Sequence, residues 1–129
     1  MLDGEVSMQV TPASPPLRGD VFDSDCPSRA VLDHVTSKWA VLVLAALTEG
    51  PARFSALRRR ISGVSEKMLS QTLRTLEADG FVHREVAPTT PPQVTYRLTP
   101  LGEGIAERVT GLVDWISERL PEIQAVRTG

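Results

Sequence analysis

A helical segment between residues 65 and 79 carries the side chains best suited to contact another molecule. Its apolar residues, Leu69, Leu73 and Leu76, recur at the three- and four-residue spacing of one helix face. The opposite face carries polar side chains: Lys67, Ser70, Gln71 and Arg74. Side chains of these types reach base edges and phosphates in a DNA major groove. We therefore predict that this face binds double-stranded DNA, with Ser65 and the first helical amides near a phosphate. The alternative is a polar face that contacts only solvent.

The distribution of charge along the chain supports a DNA-binding face. The 129 residues have a net charge of −2, but residues 50–98 hold eight basic and four acidic side chains. The flanking segments, 1–49 and 99–129, carry net charges of −4 and −2. A basic centre between acidic ends favours a polyanionic partner for one surface, although a solvated charged surface has the same composition. We predict that three arginines in this centre contact backbone phosphates, unless they are simply solvated: Arg58, Arg59 and Arg60.

Three shorter helices precede the polar segment. Their predicted ranges are 27–35, 38–48 and 54–61. Pro27 suits the first turn of the first helix, and Ser37 is a good N-cap for the second. The second helix is apolar nearly all round, which is typical of a central core helix. A turn that contains Gly63 joins the third helix to the polar segment, so that these two form a helix-turn-helix.

After the polar helix the pattern changes from helical to alternating. Residues 81–87 and 93–98 predict two short strands. The loop between them contains three prolines, which stiffen it. A stiff hairpin beside a basic helix is typical of a wing, here residues 81–98. We predict that the wing approaches the minor groove or its flanking phosphates through Thr89, Thr90 and Arg97.

The last predicted helix is longer than a domain of this size can cover. Thr99 and Pro100 are a suitable N-cap and first residue, and Pro121 is predicted to end the helix at about Leu120. One apolar stripe runs along it from Leu101 onward. A helix of roughly 20 residues is about 30 Å long. We therefore expect a second subunit to bury part of this stripe.

Length and composition limit the class of protein. A chain of 129 residues, 41% hydrophobic and 23% charged, fits one globular domain. We expect a flexible arm at 1–24, a winged-helix domain at 25–121 and a C-terminal tail at 122–129. The longest apolar run, nine residues, is too short to cross a bilayer, and the N-terminus does not match a secretory signal. A single cysteine fits a reducing cytoplasm, and with two scattered histidines it predicts neither a metal site nor a cofactor.

In the order of these elements the chain resembles the HxlR-type (DUF24) bacterial transcription regulators, a winged-helix branch related to the MarR-type regulators. The matching fragments, between residues 25 and 120, are Cys26-Pro27, Lys38-Trp39 and the segments at 50–58, 63–69, 76–80 and 91–99. Two positions depart from the family pattern, Ser37 where glycine is usual and Glu66 where glutamine is common. The resemblance implies a mainly α fold with a small β-wing, in a homodimer that binds a roughly palindromic operator. Its half-sites would lie about one DNA turn (~34 Å) apart.

The resemblance also implies that the two subunits join through the first and last helices. This arrangement agrees with the overlong apolar stripe of the last helix. The residues predicted for the dimer interface are Val31, Val35, Val109, Leu112, Trp115, Ile116 and Leu120.

Cys26 is the other residue with predicted chemistry. It lies just before a helix N-terminus, where the helix dipole favours a thiolate. The resemblance implies a sensor of quinones, aldehydes or oxidants, because a cysteine at this place has that role in several family members. Asp23 and Asp25 disfavour a further negative charge nearby, and a free cysteine is often a small packing residue. Sensing and packing both remain open.

We predict a cytoplasmic DNA-binding transcription regulator of the repressor type. An enzyme with Cys26 as its nucleophile lacks a nearby base, because His34 lies eight residues on, and the sequence has no phosphate loop or carboxylate pair. Two alternatives remain. One is a winged helix that binds proteins instead of DNA, which predicts a loss of the basic side chains that this chain keeps. The other is a regulator that answers a small apolar effector held between its helices.

Overall fold

The computed structural model describes residues 20–129, and helices dominate this part of the chain. Its elements are α1 (Pro27–Thr36), α2 (Lys38–Leu47), β1 (Ala52–Arg53), α3 (Phe54–Arg60), α4 (Glu66–Ala78), β2 (Val82–Ala87), β3 (Gln93–Leu98) and α5 (Pro100–Thr128). The predicted class, mainly α with a small β-wing, is confirmed. The chain divides into two units, one ending at Asp33 and the other beginning at His34. Most of the predicted arm, up to residue 19, lies outside the described residues.

The described part of the first unit is a turn that leads into α1. The carbonyl oxygen of Asp20 accepts a hydrogen bond from the amide of Asp23 at 2.9 Å, and that of Asp23 accepts from the amide of Cys26 at 3.0 Å. Arg29 donates from Nη1 to two carbonyl oxygens of the same turn at 3.4 and 3.2 Å. The turn brings Pro27 to the start of α1, where its missing N–H breaks no helical hydrogen bond.

In the second unit, α2 lies at the centre of the core, as its sequence predicts. Ser37 caps the helix by accepting from the amide of Ala40 at 3.2 Å. Val43 and Leu44 are fully buried. They belong to one apolar cluster with side chains of the helix-turn-helix, among them Leu57, Leu69, Leu73 and Leu76. Each fully buried side chain of this size contributes about 1.5–3 kcal/mol, so α2 is the element that fixes α3 and α4 in place.

The sheet is antiparallel and has the strand order β1-β3-β2. The two predicted wing strands are confirmed, and Val82 lies opposite Leu98 in their register. β1 is an additional strand that the sequence pattern does not predict, in which Ala52 pairs with Tyr96. Two residues are too few to show an alternation. This strand therefore depends on the free edge of β3 and not on its own sequence.

A cap and a close backbone contact fix the start of α5. The hydroxyl of Thr99 accepts from the amide of Gly102 at 2.9 Å and donates to the carbonyl oxygen of Gly80 at 2.6 Å. Gly102 lies directly against the backbone of Phe81, where a side chain would not fit. The first turn of α5 is thereby joined to the short connection between α4 and β2.

α5 continues to Thr128, which corrects the prediction that Pro121 ends the helix and that residues 122–129 form a tail. Proline in a helix interior costs about 3 kcal/mol because it lacks an N–H and crowds the preceding turn. Two good helix formers, Glu122 and Ala125, follow it. Proline is well tolerated in the first turn of a helical segment. Residues after Pro121 can therefore form such a segment, which continues α5 beyond the proline. Although α5 has 29 residues, no single helix within residues 20–129 has the length and apolar character needed to cross a membrane.

Candidate nucleic-acid interface

α4 presents the predicted polar face away from the core. Its buried side consists of Leu69, Thr72, Leu73 and Leu76. On the other side Lys67, Gln71 and Arg74 are exposed, and Ser70 is half-buried. Thr72, the one polar residue among the buried residues of α4, donates its hydroxyl to a carbonyl oxygen of the preceding helical turn at 2.7 Å, so its burial leaves no unpaired donor. This orientation leaves the polar face open to a partner.

Side-chain contacts fix both ends of α4. At its N-terminus the hydroxyl of Ser65 accepts from the amide of Met68 at 3.0 Å, which makes Ser65 the N-cap of the helix. At its C-terminus the carboxylate of Asp79 lies 2.6 Å from Nδ1 of His34, at the end of α1. These two residues are 45 positions apart in the sequence, and no local pattern predicts their contact.

A cleft between α4 and the hairpin brings a second arginine next to Arg74. Arg74 donates from Nη1 to the hydroxyl of Ser70 at 3.0 Å. Both line the cleft with Glu77 of α4 and with Arg84 and Tyr96 of the hairpin. Arg84 is absent from the predicted DNA-binding residues. Alternation along the strands places Arg84 on the same face as its cross-strand partner Tyr96, but it does not tell which face of the hairpin packs beside α4.

Arg97 lies on the opposite face of the same hairpin. It pairs with His83, one residue out of phase with the pair of Arg84 and Tyr96. Successive side chains of a strand point to opposite faces, and Arg97 lines an open groove together with Glu103 of α5. The structure therefore does not bring Arg97 together with the polar face of α4, whereas it does bring Arg84 there.

The tip of the hairpin is exposed. Thr89 and Thr90 both lie at the surface. The hydroxyl of Thr89 donates to the carbonyl oxygen of Pro91 at 2.7 Å, and its amide donates to that of Ala87 at 2.8 Å. These bonds hold the loop in one turn around Thr89, so that the tip offers an ordered backbone to a partner.

The three consecutive arginines have different surroundings. Nη1 of Arg58 lies 2.9 Å from Oε2 of Glu66. Arg60 donates to both carboxylate oxygens of Glu49, at 3.0 and 2.7 Å. These hydrogen bonds hold the pKa of Glu49 below its ordinary value and raise the pKa of Arg60. Arg59 lies beside an open cleft next to β1 and, alone of the three, has no carboxylate partner among the described residues.

The residues predicted for a dimer interface fall into two groups. Val35 and Val109 are only 4% and 8% exposed and belong to the core of the single chain, which corrects their assignment to an interface. The other five are exposed: Val31, Leu112, Trp115, Ile116 and Leu120. Four of these lie on α5 beyond Val109, where burial by the single chain ends.

Cys26 is partly exposed and directly precedes α1. Its carbonyl oxygen accepts from the amide of Arg29 at 2.9 Å. Within residues 20–129, no three histidine, cysteine or acidic side chains are grouped so that they could hold a metal ion. Cys26 is therefore a partly exposed cysteine, and in the described part of the chain it has no metal-binding cluster around it.

Comparisons with known proteins agree with a helix-turn-helix regulator. Residues 34–124 match the HxlR-like helix-turn-helix family. The HTH-type transcriptional regulator YtfH of Escherichia coli (strain K12) is 60% identical over 109 residues, which cover 84% of this chain and 86% of YtfH. The solved structure of ytfH from Salmonella typhimurium superposes with a TM-score of 0.81 at 54% identity, over 86% of this chain and 99% of that one. The redox regulator HypR in its oxidized form gives 0.67 at 36% identity, over 72% and 96% of the two chains.

Proposed function

This chain belongs to the HxlR-like helix-turn-helix family of transcriptional regulators, and we propose that it is a repressor that binds a palindromic operator as a homodimer. The observation that carries the proposal is the orientation of α4. Its leucines are in the core, while Lys67, Gln71 and Arg74 are exposed on the other side. A helix held in this way enters a major groove while the rest of the domain stays outside it.

The polar face of α4 supplies the base contacts. Arginine pairs with guanine and glutamine with adenine through two hydrogen bonds each, and these are the roles of Arg74 and Gln71. Lys67 and Ser70 lie on the same face and make the remaining contacts within the groove. Ser65 and the amides after it bind a phosphate, because the N-terminus of a helix attracts anions.

The residues around α4 hold the DNA backbone. Arg59 is the first of these, since it is exposed and has no competing carboxylate in the described part of the chain. Arg84 joins it, because it lies in the cleft beside α4. Thr89 and Thr90 approach the minor groove from the tip of the wing. Arg97 has the least support among the predicted contacts, because it faces away from this cleft.

The exposed stripe of α5 supports the homodimer. Four large apolar side chains form it: Leu112, Trp115, Ile116 and Leu120. A dimer formed through this stripe would carry two α4 helices. Two such helices about 34 Å apart would enter successive major grooves, which explains a palindromic site.

Replacing Arg74 with alanine is expected to relax sequence preference and to weaken operator binding by about 1–3 kcal/mol, because a base contact is lost. Arg59→Ala is the matched comparison. It removes the same charge from a phosphate contact, so it should weaken binding to all sequences alike. The slope of log affinity against log salt concentration should become shallower by about one. The measurement is a gel-shift titration of both variants against the chain's own upstream DNA and a scrambled duplex.

Two results would contradict the proposal. An Arg74→Ala variant with unchanged affinity and unchanged preference would show that α4 does not read the bases. A wild-type affinity that does not fall with rising salt would point to a winged helix that binds proteins instead.

We further propose that Cys26 makes the regulator responsive to oxidants. The support is its partial exposure next to a helix N-terminus and the similarity to the redox regulator HypR. Diamide couples two thiols into a disulfide and takes up their two hydrogens. Because the chain has one cysteine, the second thiol comes from another subunit or from a small thiol.

Diamide is therefore expected to release the wild-type protein from its operator, and Cys26→Ser should stay bound. Gel shifts with and without diamide, followed by reduction with dithiothreitol, measure both effects. If both proteins respond equally, the thiol of Cys26 is not the sensor.

A further inference from the structure

We propose that Glu66 is a specificity-determining residue that reads a cytosine in the major groove, and that Arg58 positions its carboxylate. The inference rests on the proposed function, because it requires α4 to be the recognition helix. Glu66 is the first residue of α4, directly after the Ser65 cap. Recognition helices contact base edges with their N-terminal residues, and the side chain of Glu66 is 72% exposed there.

A carboxylate at this position restricts what the helix can contact. Phosphate oxygens repel it, so Glu66 cannot hold the DNA backbone. In the major groove it needs a hydrogen-bond donor, and only the amino groups of cytosine and adenine supply one. In adenine the acceptor N7 lies next to the amino group and repels a second acceptor. Cytosine is therefore the base that a carboxylate accepts from best.

Arg58 makes such a contact compatible with the surrounding phosphates. Its Nη1 lies 2.9 Å from Oε2 of Glu66 and compensates the negative charge. This contact uses one nitrogen of the guanidinium group and one oxygen of the carboxylate. Oε1 is thereby left for a base, and the other guanidinium nitrogens are left for a phosphate.

The same ion pair also fixes the direction of the Glu66 side chain. Arg58 belongs to the last turn of α3, and Glu66 to the first turn of α4. The pair therefore bridges the turn of the helix-turn-helix and holds the carboxylate at the edge of the polar face. Without Arg58, the carboxylate would be both less compensated and free to rotate toward solvent.

The experiment selects binding sites from random duplex DNA with the full chain in three forms, wild type, Glu66→Gln and Glu103→Gln. Glu103 is a matched control because it is the acidic residue in the first turn of another helix, α5. We expect the wild type to select cytosine at one position of each half-site. Glu66→Gln should select adenine there, because glutamine pairs with N6 and N7 of adenine. On the wild-type site, Glu66→Gln should bind about tenfold more weakly, and Glu103→Gln like the wild type.

Substitutions of Arg58 test its positioning role. Arg58→Ala should reduce the discrimination at the cytosine position while the preferences at other positions remain. Arg58→Lys should restore part of that discrimination, because it keeps the charge beside Glu66. A loss spread evenly over all positions in Arg58→Ala would instead identify Arg58 as a plain phosphate contact and reject its role here.

The possible failures are distinguishable. If Glu66→Gln selects the wild-type site, or binds every duplex more tightly, Glu66 does not read a base and this inference is overturned. If a parallel selection with Arg74→Ala shows an altered site, the proposed function survives that outcome. If the wild type enriches no site at all, the proposed function fails, and the role of Glu66 fails with it.

Discussion

Gly102→Ala is expected to destabilise the folded chain by about 3 kcal/mol, the upper part of the range for overpacking. A Cβ atom at this position would lie 1.9 Å from the carbonyl oxygen of Phe81 and 2.8 Å from its carbonyl carbon. Both are backbone atoms, so no change of rotamer relieves the overlap. Either the first turn of α5 or the segment before β2 must move.

Neither segment can move without losing hydrogen bonds. The carbonyl oxygen of Phe81 accepts from the amide of Thr99 at 3.1 Å. The hydroxyl of Thr99 in turn bonds to Gly80 at 2.6 Å and to the amide of Gly102 at 2.9 Å. Loss of the Thr99 cap alone costs about 1 kcal/mol. The contact therefore couples the start of the last helix to the base of the wing.

Gly104→Ala is the control for this prediction. Gly104 lies on the same helix, and the nearest heavy atom to its added Cβ is Nη1 of Arg108, at 3.9 Å. Because alanine has a higher helix propensity than glycine, this substitution should stabilise the folded chain by up to about 1 kcal/mol. Urea unfolding followed by circular dichroism measures both variants. Equal stability of the two would show that the first turn of α5 is not packed against Phe81.

The parts of this fold that could be predicted from sequence are those set by local patterns. The start and the buried face of α4 follow from the Ser65 cap and from the spacing of its leucines. The central position of α2 follows from a run of apolar residues that leaves no polar face. The hairpin follows from alternation interrupted by prolines. Each signal lies within a few residues of the structure that it predicts.

The remaining features depend on contacts between distant segments. β1 forms because Ala52 pairs with Tyr96 of β3, which is distant in the sequence. Alternation places Arg84 and Arg97 on opposite faces of the hairpin, but it does not specify which face packs against α4. Arg84 lies beside α4 because its face is the one that packs there. Val109 has the spacing of an interface residue, but spacing does not tell whether the chain's own core or a second subunit covers it.

Ile116→Lys is expected to convert the proposed dimer into folded monomers and to weaken binding to the proposed operator more than 100-fold. α5 has 29 residues, which corresponds to a length of about 43 Å. Its second half carries large apolar side chains that are exposed in the single chain. Leu112, Trp115, Ile116 and Leu120 are 56%, 54%, 43% and 42% exposed. Burying a lysine charge in the middle of this stripe costs several kcal/mol. A monomer would contact only one of the two half-sites of the proposed operator, so the loss of affinity should be large.

Glu118→Lys distinguishes this effect from a change of charge. Glu118 lies two residues further along α5, about 200° around the helix axis from Ile116, and is also exposed. The Glu118→Lys substitution changes the net charge by more than Ile116→Lys does, yet it should leave the proposed dimer intact. Light scattering after size exclusion measures the oligomeric state, and circular dichroism confirms that each variant is folded. Since the side chain of Ile116 is outside the core of the single chain, its replacement should leave the helical content unchanged. A dimer that persists in Ile116→Lys would mean that another surface joins the subunits, and the operator geometry proposed above would have to be abandoned.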